Sequence, residues 1–260
     1  MVIATPVHPE GPRYAAPIAY FSGVWMGSHV WRQAASYLAH RGWAGTLLDT
    51  RAVKGGIAAR AAAAAEHLRA LPAAPVLVGH DAGALVALAT ATRIDVPALV
   101  LVSPLSPGAP GTHAVAWSPG LVWSLLRRRP VPAPVGSHGD AFFAGLSPDV
   151  RRTVGSEDPR LLAELARRSR IGRPTPMPPT LVLRGGADPV LSRDDAGRVA
   201  SDLGAQLDEI ADQGHWPLAS IAWQECVHRM HRWLVQRLGA PNLELYAEAM
   251  AERGEDPDEP

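Results

Sequence analysis

The sequence predicts an α/β fold: a mostly parallel sheet flanked by helices and interrupted once by a long helical insertion. Three observations carry this. Short apolar runs (Ile18 to Phe21, Thr46 to Leu48, Val76 to Val78, Ala98 to Val102, Thr180 to Leu183) alternate with longer helical patterns. Each run is apolar nearly throughout, as strands covered on both faces are. The alternation stops at Pro104 and resumes only after Pro179, so an excursion has been inserted into the core.

The chain opens with a Pro- and Gly-rich stretch in which Val2 to Thr5 reads as one short edge strand. Ile18 to Phe21 follows as a central strand ending in the loop Ser22-Gly23. From Ser28 to His40 the spacing is helical, with Trp31, Ala34, Ala35 and Leu38 on one side and Arg41-Gly42 as the stop. The strand Thr46 to Leu48 ends at Asp49, an Ala-rich helix runs from Ile57 to Leu71 before Pro72, and Val76 to Val78 is the next strand. After a long Ala/Leu/Val helix comes the strand Ala98 to Val102, closed by Pro104.

Residues 104–179 show no strand signal. They begin with a Pro/Gly loop, continue through a helix from about Pro119 to Arg129 with Ser118 as its N-cap, and carry further helices around Asp140 to Val154 and Pro159 to Arg170. An insertion of this length between two core strands is what a cap over a site looks like. The sheet resumes at Thr180 to Leu183, a helix covers Asp194 to Leu203, the last strand is Gln206 to Ile210, and a closing helix runs from about Ala219 to Leu238. The organisation is therefore a core of residues 1–103 and 180–240, a helical cap of residues 104–179, and a C-terminal helix with an acidic tail over residues 241–260.

Length permits one large domain with a sizeable core. The formal net charge is zero, which removes the electrostatic reason to expect nucleic acid or an anionic membrane as partner and leaves a small-molecule ligand. Cys226 is the single cysteine, so no intrachain disulfide forms. The N-terminus lacks a basic region followed by an apolar core, and no window reaches a continuous apolar span of membrane length; the chain reads as cytoplasmic. Lys54 is the lone lysine among 25 basic residues, a composition expected of a GC-rich bacterial genome. Oligomeric state is not encoded in any of these features. No metal-ligand spacing, phosphate-cradling loop or dinucleotide fingerprint is present, so the chemistry expected is cofactor-independent.

The chemistry concentrates in Pro75 to Ala91, PVLVGHDAGALVALATA. An apolar strand meets Gly79, His80, Asp81, Ala82 and Gly83 and passes directly into a helix. Such a turn presents its middle residue, Asp81, in a strained, exposed position, and it requires small neighbours. The helix that follows aims free NH groups and a positive dipole end at the turn, which favours an anion there. Asp81 is also a preferred helix N-cap residue, which is the plainer reading of it. Two further residues stand at carboxyl ends of expected strands: Asp188 after Arg184-Gly185-Gly186-Ala187, and His215 in Gly214-His215-Trp216-Pro217.

Gly79-x-Asp81-x-Gly83 followed by Asp188 and then His215 resembles the nucleophile, acid and histidine order of the α/β-hydrolase superfamily. With a carboxylate in place of serine it is most similar to the branch containing haloalkane dehalogenases and epoxide hydrolases. The resemblance implies Asp81 as nucleophile, His215 as the base that activates water, and Asp188 as the group that orients His215. It also implies an oxyanion hole from the Ala82 NH and an NH after Gly23, from Val24 or Trp25. An Asp carboxylate is already ionised at neutral pH and attacks unaided, which suits an ester, epoxide or haloalkane of small, largely apolar type.

The chain departs from that family at four places: Ser22-Gly23 where His-Gly is usual, Val24 where dehalogenases often carry a halide-binding Asn, Ala82 where they carry Trp, and no tyrosine in the cap where epoxide hydrolases use them. These departures open two alternatives: Asp81 as the base of a lyase or cyclase, and a ligand-binding protein that has kept the fold without the reaction. Within the cap, Trp117 and Trp123 either pack it onto the core or line the pocket, as do Phe142 and Phe143.

Overall fold

The structure, a computed structural model, describes residues 1–106, 109–116, 119–167 and 171–239. Its strands are β1 (Ile3–Val7), β2 (Ile18–Phe21), β3 (Gly45–Asp49), β4 (Val76–His80), β5 (Leu99–Val102), β6 (Val131–Pro132), β7 (Ser156–Glu157), β8 (Thr180–Gly185) and β9 (Gln206–Ile210). Its helices are α1 (Arg32–Ala39), α2 (Ile57–Leu68), α3 (Ala82–Ala91), α4 (Pro110–Ala116), α5 (Pro119–Arg127), α6 (Gly136–Phe142), α7 (Pro148–Arg151), α8 (Pro159–Leu165), α9 (Arg193–Leu203) and α10 (Trp223–Leu238), with a short 3-10 turn at Ser28–Trp31.

Seven strands form one sheet in the order β1-β3-β2-β4-β5-β8-β9. Only β1 runs antiparallel, on the edge beside β3; the other pairings are parallel. The apolar runs explain this directly. Strands β2, β4, β5 and β8 are buried along their whole length, as a sheet covered on both faces demands. All ten residues of α3 are buried, which accounts for a helix with no polar face. On α1, Ala34, Ala35 and Leu38 face the core as their spacing predicts, and Trp31 is buried at the end of the preceding 3-10 turn.

Between β5 and β8 lie α4 to α8 and one two-residue antiparallel pair, β6 with β7. The sequence pattern predicts helices alone here; the pair corrects that, because two residues are too few to show any periodicity and the pairing is set by tertiary contact. Helix α4 falls where a Pro/Gly loop is expected. Ser118, expected to cap α5, and the expected C-terminal helix and acidic tail of residues 241–260 lie outside the described residues.

Parallel strands point their carboxyl ends the same way, and ligands of such sheets bind there. Asp81 follows β4, the central strand; Asp188 follows β8, and His215 follows β9.

Candidate active site

Asp81 sits between β4 and α3 with φ 58° and ψ −125°, a conformation that L side chains rarely adopt. The small neighbours make the turn possible. A Cβ on Gly79 would fall 2.5 Å from Ala84 Cα, and one on Gly83 would fall 2.5 Å from the carbonyl oxygens of Phe21 and Ser22. The turn leaves the Asp81 carboxylate fully buried, with Oδ1 accepting from the Ala82 NH and Oδ2 accepting from the Val24 NH at 3.3 Å.

His215 is placed by two loops that interlock. The Gly186 NH donates to Ile210 O at 2.7 Å and the Ala187 NH to Gln213 O at 2.8 Å, while a Cβ on Gly185 would fall 2.1 Å from Gly214 O. This register sets the Asp188 carboxylate 2.9 and 3.0 Å from His215 Nδ1. The Asp188 Oδ1 in turn accepts from the Val190 and Leu191 NH groups at 2.8 and 3.0 Å. Across the site, His215 Nε2 lies 3.8 Å from Asp81 Oδ2 and has no closer polar partner.

Burial opposes charge on all three groups, and the partners decide the outcome. Burial raises the Asp81 carboxyl above its usual range, and His215 with the Ala82 and Val24 NH groups only partly restores it. For Asp188, burial acts the same way but His215 and the Leu191 and Val190 NH groups outweigh it and hold the carboxyl low. Burial would lower His215, yet Asp188 and Asp81 together push it up to about 10.

His80, not singled out in the sequence beyond its place before Asp81, supports the arrangement from beneath. Its Nε2 donates to the His215 carbonyl at 2.7 Å, and burial followed by the nearby His215 lowers it to about 3, so it is a neutral, fixed donor. The signal for it was only its adjacency to Asp81.

Of the two candidates for the second donor in the loop after Gly23, the Val24 NH points to Asp81. The Trp25 NH instead donates to Glu157 Oε2 at 3.3 Å, its carbonyl accepts from the Gly155 NH at 2.9 Å, and its indole NH donates to Val131 O at 3.2 Å. Trp25 is thus tied to the insertion rather than aimed at Asp81, and its φ of 60° follows from that tether. Glu157 also accepts from Arg60 at 2.5 Å, a pair buried on both sides. No local pattern announces it, because the partners are 97 residues apart.

Trp123 is 57% exposed, with the Arg127 guanidinium 3.9 Å from its ring centre, and so faces solvent. Trp117 lies outside the described residues. The aromatic roof over the site comes from elsewhere: the Phe142 ring packs 5.0 Å from the His215 ring, and Trp25 and Phe143 meet Phe142 edge-on. Trp216 anchors that roof by donating its indole NH to Phe142 O at 2.9 Å. Phe142 also borders a half-open apolar pocket of about 180 Å³ bounded by Ala114, Pro134, Ala141, Pro189 and Val190, which Asp81, Asp188 and His215 do not line. A larger open cleft of about 990 Å³ runs past Pro75 and Pro179, at the opposite ends of the strands, and contains none of the three residues. Among the described residues no cluster of three or more His, Cys, Asp or Glu forms a metal-binding group.

The family model described as the alpha/beta hydrolase family matches residues 20–229. The chain belongs to that family. No curated protein matches the sequence. Among solved structures, the chain is similar to a monoacylglycerol lipase from Paleococcus ferrophilus, at 18% identity and TM-score 0.70 over 91% of this chain and 99% of that one. It is also similar to a thermophilic esterase from Thermogutta terrifontis (18% identity, TM-score 0.66, 91% and 94% covered). A third likeness is to a variant of an epoxide hydrolase from Bacillus megaterium (16% identity, TM-score 0.62, 90% and 97% covered). At these identities the likeness is one of fold.

Proposed function

We propose that this member of the alpha/beta hydrolase family is a cofactor-independent hydrolase that works through a covalent ester on Asp81. The observation that carries the reading is the strained, buried Asp81 carboxylate held between the Ala82 and Val24 NH groups with His215 Nε2 3.8 Å away.

The electrostatics divide the reaction into two steps. In the resting site, Asp188 and Asp81 keep His215 protonated at neutral pH, which stabilises the Asp81 anion that attacks. An Asp81 oxygen forms a bond to an electrophilic carbon and the leaving group departs with the electron pair. Esterification removes the Asp81 charge, and with it one of the two carboxylates that hold the proton on His215. His215 then gives that proton to the leaving oxygen of an opened epoxide, or to solvent when a halide leaves, and becomes the base that deprotonates water. Water attacks the carbonyl carbon of the Asp81 ester, and the oxyanion that forms falls to the Ala82 and Val24 NH groups already in place. Collapse returns the Asp81 carboxylate and releases the alcohol.

Because both NH donors already bind the resting carboxylate, the site suits an electrophilic alkyl carbon better than an acyl carbonyl that would compete for them. A small, largely apolar epoxide or haloalkane is the substrate class this favours. Phe142 stands over His215 from the insertion, and that placement supports reading the insertion as a cap.

A second reading, Asp81 as a base without a covalent intermediate, is favoured by one observation: the Trp25 indole NH is already bound to Val131 O and is not free to hold a halide. Single turnover in water enriched in heavy oxygen separates the two. With a panel of epoxides, haloalkanes and activated esters, label in the Asp81 carboxylate, absent from an Asp81→Asn variant, is expected for covalent catalysis. Turnover with label in the product alone sinks it and leaves the base mechanism.

A further inference from the structure

Helix α5 is apolar on both faces. Leu121 is buried and Leu125 packs on the core cluster, yet the outer side chains Val122, Trp123 and Leu126 are 48%, 57% and 74% exposed. A helix that is apolar all round is normally buried, and half of the eight large apolar side chains exposed among the described residues fall between positions 122 and 135, so the insertion rather than the core presents the unpartnered surface.

The charge beside that face is one-sided. Arg127, Arg128 and Arg129 follow directly and are exposed, and residues 104–139 contain no Asp or Glu. None of the three arginines is in an ion pair among the described residues. The acids of neighbouring β7 and α8 are engaged elsewhere: Glu157 with Arg60, Asp158 with the Gly55 and Arg160 NH groups, and Glu164 with the Ile57 NH. Further along, Arg151 pairs with Asp140 and Arg152 with Asp149, so those two arginines are neutralised locally.

We propose that α5 docks on an anionic lipid surface, with Val122, Trp123 and Leu126 entering the headgroup boundary and Arg127 to Arg129 binding lipid phosphates. An apolar strip carrying an interfacial Trp and ending in unpaired arginines is the pattern that binds such a surface from one side. No described helix is long and apolar enough to cross a membrane, so the contact is peripheral. A second copy of the chain is the weaker occupant, because a two-fold contact through α5 would set six arginines together without an acid between them. The proposal departs from the expectation, drawn from the zero net charge of the whole chain, that no membrane is a partner. It goes beyond the proposed reaction and does not depend on it.

The test is flotation of the full chain with vesicles of neutral phosphatidylcholine and of phosphatidylcholine mixed with phosphatidylglycerol, at low and high salt. Binding to the anionic vesicles alone, weakened by salt, is expected. The triple variant Arg127→Gln, Arg128→Gln, Arg129→Gln should partition roughly 100-fold less. The pair Val122→Ser, Leu126→Ser should also lose flotation while keeping the wild-type thermal midpoint, since both side chains already face solvent. Failure to float with anionic vesicles at low salt overturns the proposal, as does flotation that the variants leave unchanged. If the same variants abolish self-association and no vesicle binding is seen, the face is an interface between copies and the proposal falls.

Discussion

Asp81 holds a backbone conformation that costs about 1–3 kcal/mol, and the side chains around it leave it little room to relax. Gly23 is the tightest of these neighbours. A Cβ there would lie 2.7 Å from both Cβ and Oδ2 of Asp81, so Gly23→Ala must displace the Asp81 carboxylate from the Val24 NH. We expect kcat to fall about 100-fold, the cost of a misplacement of order 1 Å, with little change in thermal midpoint. A variant that keeps its single-turnover rate would show that the Asp81 position is not critical. At this scale the sequence was informative about the turn at Asp81, because only small residues at 79, 82 and 83 permit it, and the Asp side chain does cap α3 as its residue type predicts. It was silent on which NH after Gly23 faces Asp81. Val24 and Trp25 are adjacent, and the choice depends on where Glu157 stands.

The loop after β2 and the insertion between β5 and β8 act as one unit. Trp25 is held by its NH, its carbonyl and its indole, all three by partners in the insertion. Glu157 is the centre of this junction, since it joins the Trp25 NH, the Asp158 NH and Arg60. Removing one partner of a buried pair strands the other's charge. Glu157→Ala should therefore destabilise the fold by about 3–5 kcal/mol in urea unfolding. Arg60→Met with Glu157→Gln should recover most of that loss, because Gln keeps an acceptor for Trp25 and no charge is left alone. Equal losses in the two variants would refute the ion-pair account. None of this was visible along the chain, where β7 is two residues long and Arg60 sits in an Ala-rich helix with no sign of what it faces.

Across the whole molecule the buried His215 and His80 and the half-buried His231 set opposing pH limits. His215 is raised from 6.5 to about 10 in the folded state, so its stabilisation is complete below pH 6.5 and is lost as pH rises towards 10. The slope over that window should reach about 1.4 kcal/mol per pH unit and should be missing from a His215→Gln variant in urea titrations. His80 and His231 act in the other direction. They are lowered to about 3 and about 4, so the folded state binds fewer protons and loses stability as pH falls below 6.5. Asp188, held low, adds to the acid limb as pH drops below 3.8. A wild-type profile flat from pH 6.5 to 10 would overturn the His215 assignment.

The fold was legible because its central strands are apolar runs, and burial on both faces leaves a signature that survives in one dimension. The order Asp81, Asp188, His215 was legible for a related reason: each closes a strand, and parallel strands deliver their carboxyl ends to one side. The sequence by itself determined the α/β class, the sheet's central elements and those three residues. Tertiary structure alone decided what covers them, which NH groups meet Asp81, and which charges are left unpaired. Phe142 and Glu157 act through neighbours far along the chain, and side-chain contact across such distances leaves no periodicity in the sequence.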